Sequence, residues 1–273
     1  MNNEILNILL RDKTTGKNIL WANAEHGAEE IQAAQIDSIV PRYLKDRSDQ
    51  KQRTRDRAEI FTPPEICAIQ NDLIWEPREP REYWTDYVDA KFLEITCGEA
   101  PYIVSRYNAV TGDAIPLVER RGLLDRKLNV VSNHTDNVSD WLRWAGVALC
   151  SVYGYEFQGD NLFLARQNVL WSFNDHFEKQ FPKARLSDEI LCSVAEIISW
   201  NLWQMDGRTD AIPYYVPPTE KPKSKPKTDP NQGTLDLDIE PPAEAEPPNV
   251  YCRILDWRTC EVVEFKSLTK GAK

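Results

Sequence analysis

The chain contains no run approaching the ~18 apolar residues that a membrane span needs, and its N-terminus has no signal-peptide pattern. The expectation is a cytoplasmic protein with no membrane partner. It also lacks any Cys-x-x-Cys pair: its six cysteines stand apart at 67, 97, 150, 192, 252 and 260. That argues against a zinc ribbon and fits free thiols in a reducing compartment. No phosphate-cradling Gly-x-x-x-x-Gly-Lys-Ser/Thr loop occurs, which argues against an ATP-driven translocase. The three histidines, His26, His134 and His176, show no metal-ligand spacing, so surface or capping roles are expected and no metal. No serine–histidine or cysteine–histidine motif supports nucleophilic catalysis. Glu261-Val-Val-Glu-Phe-Lys266 imitates the tail of a nuclease cluster but lacks the preceding Pro-Asp.

Of the 273 residues, 41% are hydrophobic and nine are tryptophan, enough for one substantial core. Trp141, Trp144, Trp171, Trp200 and Trp203 fall on apolar faces and read as core anchors. The net charge of −10 is awkward for a nucleic-acid binder. Residues 41–57 run against it, with seven basic residues (Arg42, Lys45, Arg47, Lys51, Arg53, Arg55, Arg57) and three aspartates, a local excess of +4. This stretch is either a solvated helix face or a phosphate-contacting patch.

Residues 1–56 read as an N-terminal extension, with two short strands over 5–10 and 18–22 and helical spacing from Ala28 to Tyr43. A helix opened by Pro63-Pro64 covers 65–75. Strands are predicted over 92–95 and 152–157, and helices from Pro101 and over 138–151, 161–177 and 186–200. The alternation predicts an α/β fold with a mostly parallel, doubly wound sheet. Residues 108–136 read as an inserted surface module bearing Arg120, Arg121, Arg126 and Lys127. Residues 217–249 hold nine prolines, four lysines and seven acids, so they read as a disordered linker. A strand pair over 250–273 closes the chain.

In such a sheet, ligands lie beyond the carboxyl ends of the strands. Glu94 ends the first strand ahead of Thr96-Cys97-Gly98, and Glu156 ends the second ahead of Gly159. A carboxylate there can accept both ribose hydroxyls, and Gly98 lets the backbone approach a ligand without a Cβ clash. Taken singly, a glycine after a strand is a plain turn, and an acid at a strand end is a helix cap. Cys97 reads as packing.

The order of these segments resembles γ-type adenine-specific (N6) DNA methyltransferases, the modification subunits of restriction systems. Arg57-Ala-Glu-Ile-Phe-Thr-Pro63 is similar to their amino-terminal cofactor motif, and Leu93-Glu-Ile-Thr-Cys-Gly-Glu-Ala-Pro-Tyr102 to their cofactor loop. Tyr153-Gly-Tyr-Glu-Phe157 with Leu162-Phe-Leu-Ala-Arg-Gln-Asn-Val-Leu170 is similar to their next element. Ile198-Ser-Trp-Asn-Leu-Trp-Gln-Met-Asp-Gly207 is similar to their third.

The resemblance covers about 55–207 and implies a Rossmann-like methyltransferase sheet, whole or truncated, within a cofactor-binding domain over 57–216. It implies S-adenosylmethionine as cofactor, held by Phe61, Thr62, Pro63, Glu94, Thr96, Cys97, Gly98, Glu99, Glu156, Phe157 and Asp206. Double-stranded DNA is implied as partner, through Arg53, Arg55, Arg57, Arg120 and Arg121, with a restriction or specificity subunit beside it. Ile95 and Ala100 depart from the family's proline and second glycine. The Asp/Asn-Pro-Pro-aromatic tetrad that holds the flipped adenine is missing. Asp256 and Trp257 are the remaining candidates to replace it, although their plainer reading is a hairpin tip. The expected activity of the chain alone is therefore weak or absent, and the alternative is a non-catalytic DNA-binding or regulatory subunit.

Overall fold

The computed structural model describes residues 2–23, 25–57, 59–60, 62–75, 83–214 and 250–269. Phe61, the side chain of Arg57 and the expected linker 217–249 lie outside the described residues.

The architecture is mixed α/β. Strands β1 (Phe92–Glu94), β2 (Val152–Glu156) and β3 (Leu202–Gln204) form a parallel sheet in that order, with Phe92 opposite Val152 and Gly154 opposite Leu202. All five residues of β2 are buried, as a central parallel strand covered on both faces requires. Pleating sends Val152 and Gly154 one way and Tyr153 and Tyr155 the other.

The first face meets the main core, built by α1 (Asn3–Leu10), α5 (Leu123–His134), α6 (Val138–Cys150), α7 (Gly159–Gln180) and α8 (Asp188–Asn201). Against the second face, Tyr153, Tyr155 and Trp203 pack on the antiparallel pair β4 (Arg253–Asp256) and β5 (Glu261–Glu264), and on Phe265 of α9 (Phe265–Thr269). The doubly wound expectation is therefore corrected. Helices build one face, and a hairpin covers the other.

Three further expectations fail for local reasons. Residues 3–10 form a helix, not a strand. Asn2 caps it by accepting from the Ile5 amide, and Ile5 and Leu9 at i,i+4 turn one face onto the core. From Ala28 to Tyr43 only two 3-10 turns form, Ala33–Ser38 and Arg42–Leu44. The start of that stretch is drawn into a bridge between Leu20 and Glu30, and Pro41 has no amide to donate. The helix expected from Pro101 is a series of turns whose carbonyls at Tyr102 and Ile103 accept from Leu123 and Leu124, the first amides of α5.

Residues 108–136 are not a surface module. Leu123, Leu124, Leu128 and Val131 of α5 lie in the main core. Lys127 is fully buried, donating to the Val88 and Ala90 carbonyls and the Ser151 hydroxyl. His176 is likewise in the core, 3.0 Å from Asp125, while His134 stacks on Trp84. Trp141 and Trp203 anchor the interior as expected. Among the described residues no helix is long and apolar enough to cross a membrane, and no cluster of side chains could hold a metal ion.

Candidate functional site

A cleft of about 1150 Å³ opens at the carboxyl ends of all three parallel strands. Its walls come from the β1 loop, the segment after β2, the segment after β3, and the polypeptide between α2 (Arg47–Arg57) and α3 (Pro64–Trp75). Thr62, Glu94, Thr96, Cys97, Gly98, Glu156, Phe157 and Asp206 all line it, so eight of the residues expected to hold a cofactor share one space.

Other expected residues are placed elsewhere. Glu99 is buried behind the loop, accepting from the Arg42 amide and the Tyr107 hydroxyl. Pro63 is not in the lining. Asp256 and Trp257 sit at the opposite end of the sheet: Asp256 pairs with Lys91, just before β1, and the Trp257 indole donates to Asn201, just before β3. They cannot stand in for the adenine-holding tetrad.

The loop after β1 is unusual backbone. Thr96, Gly98 and Ala100 take φ values of 56°, 54° and 64°. For a β-branched residue such as Thr96 this conformation is rare and stores strain, which surrounding contacts must hold in place. At Ala100, where the family pattern has glycine, the backbone keeps the shape that glycine favours.

Glu156 is the principal clamp. Its two carboxylate oxygens accept from the Gly98 amide at 2.9 Å and the Gln158 amide at 3.1 Å. It thus ties the β1 loop to the start of α7. Burial pushes its pKa up to about 7, while those two amides pull it down.

Glu94 differs. It is half-buried as a residue, yet its Oε2 is enclosed and has no hydrogen-bond partner. Burial first, then the nearby Glu156, holds its carboxyl well above the usual range. Burial also raises the Cys97 thiol well above its ordinary value, so this cysteine is packing and not a nucleophile.

A raised carboxyl makes the folded state hold a proton that the unfolded chain has released. The stabilising contribution is complete below pH ~4.5 and is lost as the pH rises through the folded-state value. Glu94→Gln removes the ionisation while keeping the shape. The variant is expected to be about 1–2 kcal/mol more stable than wild type in urea at pH 8. The gap should close at pH 4.5. An equal gap at both pH values would show that the enclosed carboxyl is not its cause.

Sequence reasoning missed the cleft floor. Glu59 accepts from Gln158 and Asn161 through one oxygen, at 2.9 and 3.1 Å, and from the Arg53 guanidinium at 2.8 Å. Its only signal was its place three residues before Thr62. Arg53, expected at DNA, is instead buried in ion pairs with Glu59 and Asp160. Arg120 is largely buried against Asp175, and Arg121 is half-exposed beside Asp72. Of the expected DNA contacts whose side chains are described, Arg55 lines the cleft, together with Arg208, which the sequence did not single out.

The lining is rich in acceptors: Glu59, Glu94, Glu156 and Asp206 face two arginines. Such a cleft suits a small ligand that carries donors and positive charge, with an anionic group for an arginine. No protein-family model, no curated protein and no solved structure matches the chain.

Proposed function

We propose that this chain binds S-adenosylmethionine in the cleft at the strand ends, as a DNA adenine-N6 methyltransferase-like subunit of a restriction-modification system. The observation that supports it most is the shared space of Thr62, Glu94, Gly98, Glu156 and Asp206, which come from four separate segments. The ligand's ribose hydroxyls, adenine amine and ammonium are donors, and the carboxyl groups of this lining accept. Its carboxylate has Arg55 or Arg208 to meet. When bound, the cofactor supplies an electrophilic methyl group.

The protein's own part is to position and to exclude water. The Gly98 loop, clamped by Glu156, gives close backbone approach, and Asp206 at the end of β3 offers an accessible acceptor. Double-stranded DNA is the proposed methyl acceptor, approaching over Arg55 and Arg208. Since the chain has no Asp/Asn-Pro-Pro-aromatic tetrad and Asp256–Trp257 lie at the far end of the sheet, the isolated chain transfers methyl weakly or not at all. A partner subunit supplies the group that holds the base. The same observations favour a second reading, a non-catalytic subunit that keeps the binding cleft.

Calorimetry with S-adenosylmethionine tests the first part. Saturable binding is expected for wild type, weakened at least ~10-fold by Asp206→Ala, which removes a charged acceptor from the mouth. No heat of binding to wild type would end the cofactor reading. Tritiated methyl transfer to unmodified duplex DNA separates the two roles. Label incorporated by the chain alone would exclude the non-catalytic one.

A further inference from the structure

The outer strand of the sheet and the helix beside it carry the wrong surface for water. β1 pairs only with β2 among the described residues. Phe92 donates to Ser151 on that side, so the alternation of a parallel ladder turns the Leu93 amide and carbonyl to the open edge. Leu93 and Ile95 are 45% and 66% exposed.

On α3, Ile66, Ile69 and Leu73 follow one another at helical spacing and are 44%, 55% and 66% exposed. The buried side of this helix holds Cys67 and Asn71, whose amide donates to the Tyr102 and Arg121 carbonyls. The apolar stripe therefore faces outward, the reverse of a helix that ends its burial within one chain. Ile74, 41% exposed, lines the same cleft as Leu93 and Ile95, which brings the exposed apolar residues of α3 and β1 to one opening.

We propose that this face is the interface of a symmetric dimer of the chain, with β1 of each copy pairing antiparallel about a two-fold axis near Leu93. The six aliphatic side chains expose on the order of 600 Å² per copy, the top of what a monomer shows. With the edge backbone and rim added, this approaches the ~800 Å² that each partner gives to a stable interface. Charge favours a second copy at this place. Two chains of −10 each repel over most of their surface. Between Ile66 and Asn71 there is no charged residue, and of the two on β1 and its approach Lys91 pairs with Asp256 and Glu94 has an oxygen enclosed in the cleft. Asp72 at the rim is already neutralised by Arg121 and Arg126. A two-fold axis makes such an uncharged patch complementary to itself and joins the two sheets into one. The inference does not depend on what the cleft binds.

Sedimentation equilibrium of the full chain across ~1–100 µM tests it, because mass action makes the dimer concentration-dependent. The expected mass at the upper end is twice the 31.5 kDa of one chain. Leu73→Lys and Ile95→Lys replace exposed side chains, so both should keep the wild-type circular dichroism and, at concentrations where wild type is a monomer, its melting temperature. Each should weaken association by roughly a hundredfold by placing a charge at the buried centre. Amide exchange at Leu93 should slow as wild type is concentrated and stay fast in both variants. Wild type sedimenting at 31.5 kDa throughout would overturn the proposal, whatever else covers the patch. So would a dimer that survives both substitutions.

Discussion

Replacing Arg166 with methionine is expected to cost about 3–5 kcal/mol of folding stability, the largest loss from any single change considered. Arg166 is fully buried in α7, and among the described residues no carboxylate hydrogen-bonds to it. Its guanidinium donates to the Leu202 carbonyl at 2.8 Å, Leu9 at 2.6 Å, Arg11 at 3.0 Å and Ser199 at 3.2 Å. Leu9 and Arg11 end α1, Ser199 lies in the last turn of α8, and Leu202 begins β3.

The final carbonyls of a helix have no partner of their own and carry its negative end. One cation thus completes two helix ends and fixes the first residue of a strand. Burial lowers its pKa to about 10, so it remains charged at neutral pH. Methionine fills similar volume and gives no hydrogen bond, which takes the donor from three buried carbonyls and from that of Arg11 at the core's edge. Arg166→Lys should recover part of the loss, because an ammonium reaches fewer of these oxygens at once. Urea unfolding at pH 7 measures both. A loss under ~1 kcal/mol for the methionine variant would show that the carbonyls find other donors.

Arg166 also shows how far the sequence could be read. It stands in the Leu-Ala-Arg-x-Asn stretch that carries part of the family resemblance, which says nothing of α1. The guanidinium's partners at Leu9 and Arg11 lie 157 and 155 positions away, and spacing along the chain cannot disclose such a contact. What could be read were features local to a strand end. Glu94 and Glu156 close apolar runs and Gly98 follows the first, so the arrival of these three in one cleft was visible from pattern alone.

The failures share one physical origin. Ile5-Leu-Asn-Ile-Leu-Leu10 has apolar residues at both strand and helix spacing, and only the Asn2 cap and the packing on α8 decide it. The basic stretch 41–57 was read by charge. Three of its seven cations, Arg42, Lys45 and Arg53, are spent internally, on Glu59 just past the stretch and on Asp160 from a distant segment that folds against it. Burial is a property of the assembled chain, and a lone arginine in a sequence does not declare whether it meets water or a carboxylate.

The second large effect follows from that buried network. Arg53→Ala is expected to destabilise the protein by about 3 kcal/mol and to loosen the cleft floor with it. Three cations, Arg42, Lys45 and Arg53, face two acids, Glu59 and Asp160, with the closest pairs at 2.7 to 3.3 Å. Arg53 bridges both acids. Lys45 and Arg42 remain after its removal, which keeps the loss at the lower end for a broken buried pair.

The acid limb should change as well. Burial alone would raise the Asp160 carboxyl, but Lys45 and Arg53 outweigh it and hold its pKa below the ordinary value. A depressed carboxyl stabilises the fold above the unfolded-state pKa, and that contribution is lost as the pH falls through the folded-state value. Without Arg53 the depression shrinks, so the variant has less of this contribution to lose and its acid limb should be shallower than that of wild type. Urea midpoints across pH 3 to 7 would show it as a deficit that narrows toward pH 3. Arg53→Lys, with charge but no fork, should fall between the two. Since Gln158 and Asn161 share the Glu59 oxygen that Arg53 also holds, ligand affinity in the cleft should fall in the same order. An alanine variant whose deficit stays constant from pH 7 to 3 would mean that Lys45 alone keeps Asp160 ionised.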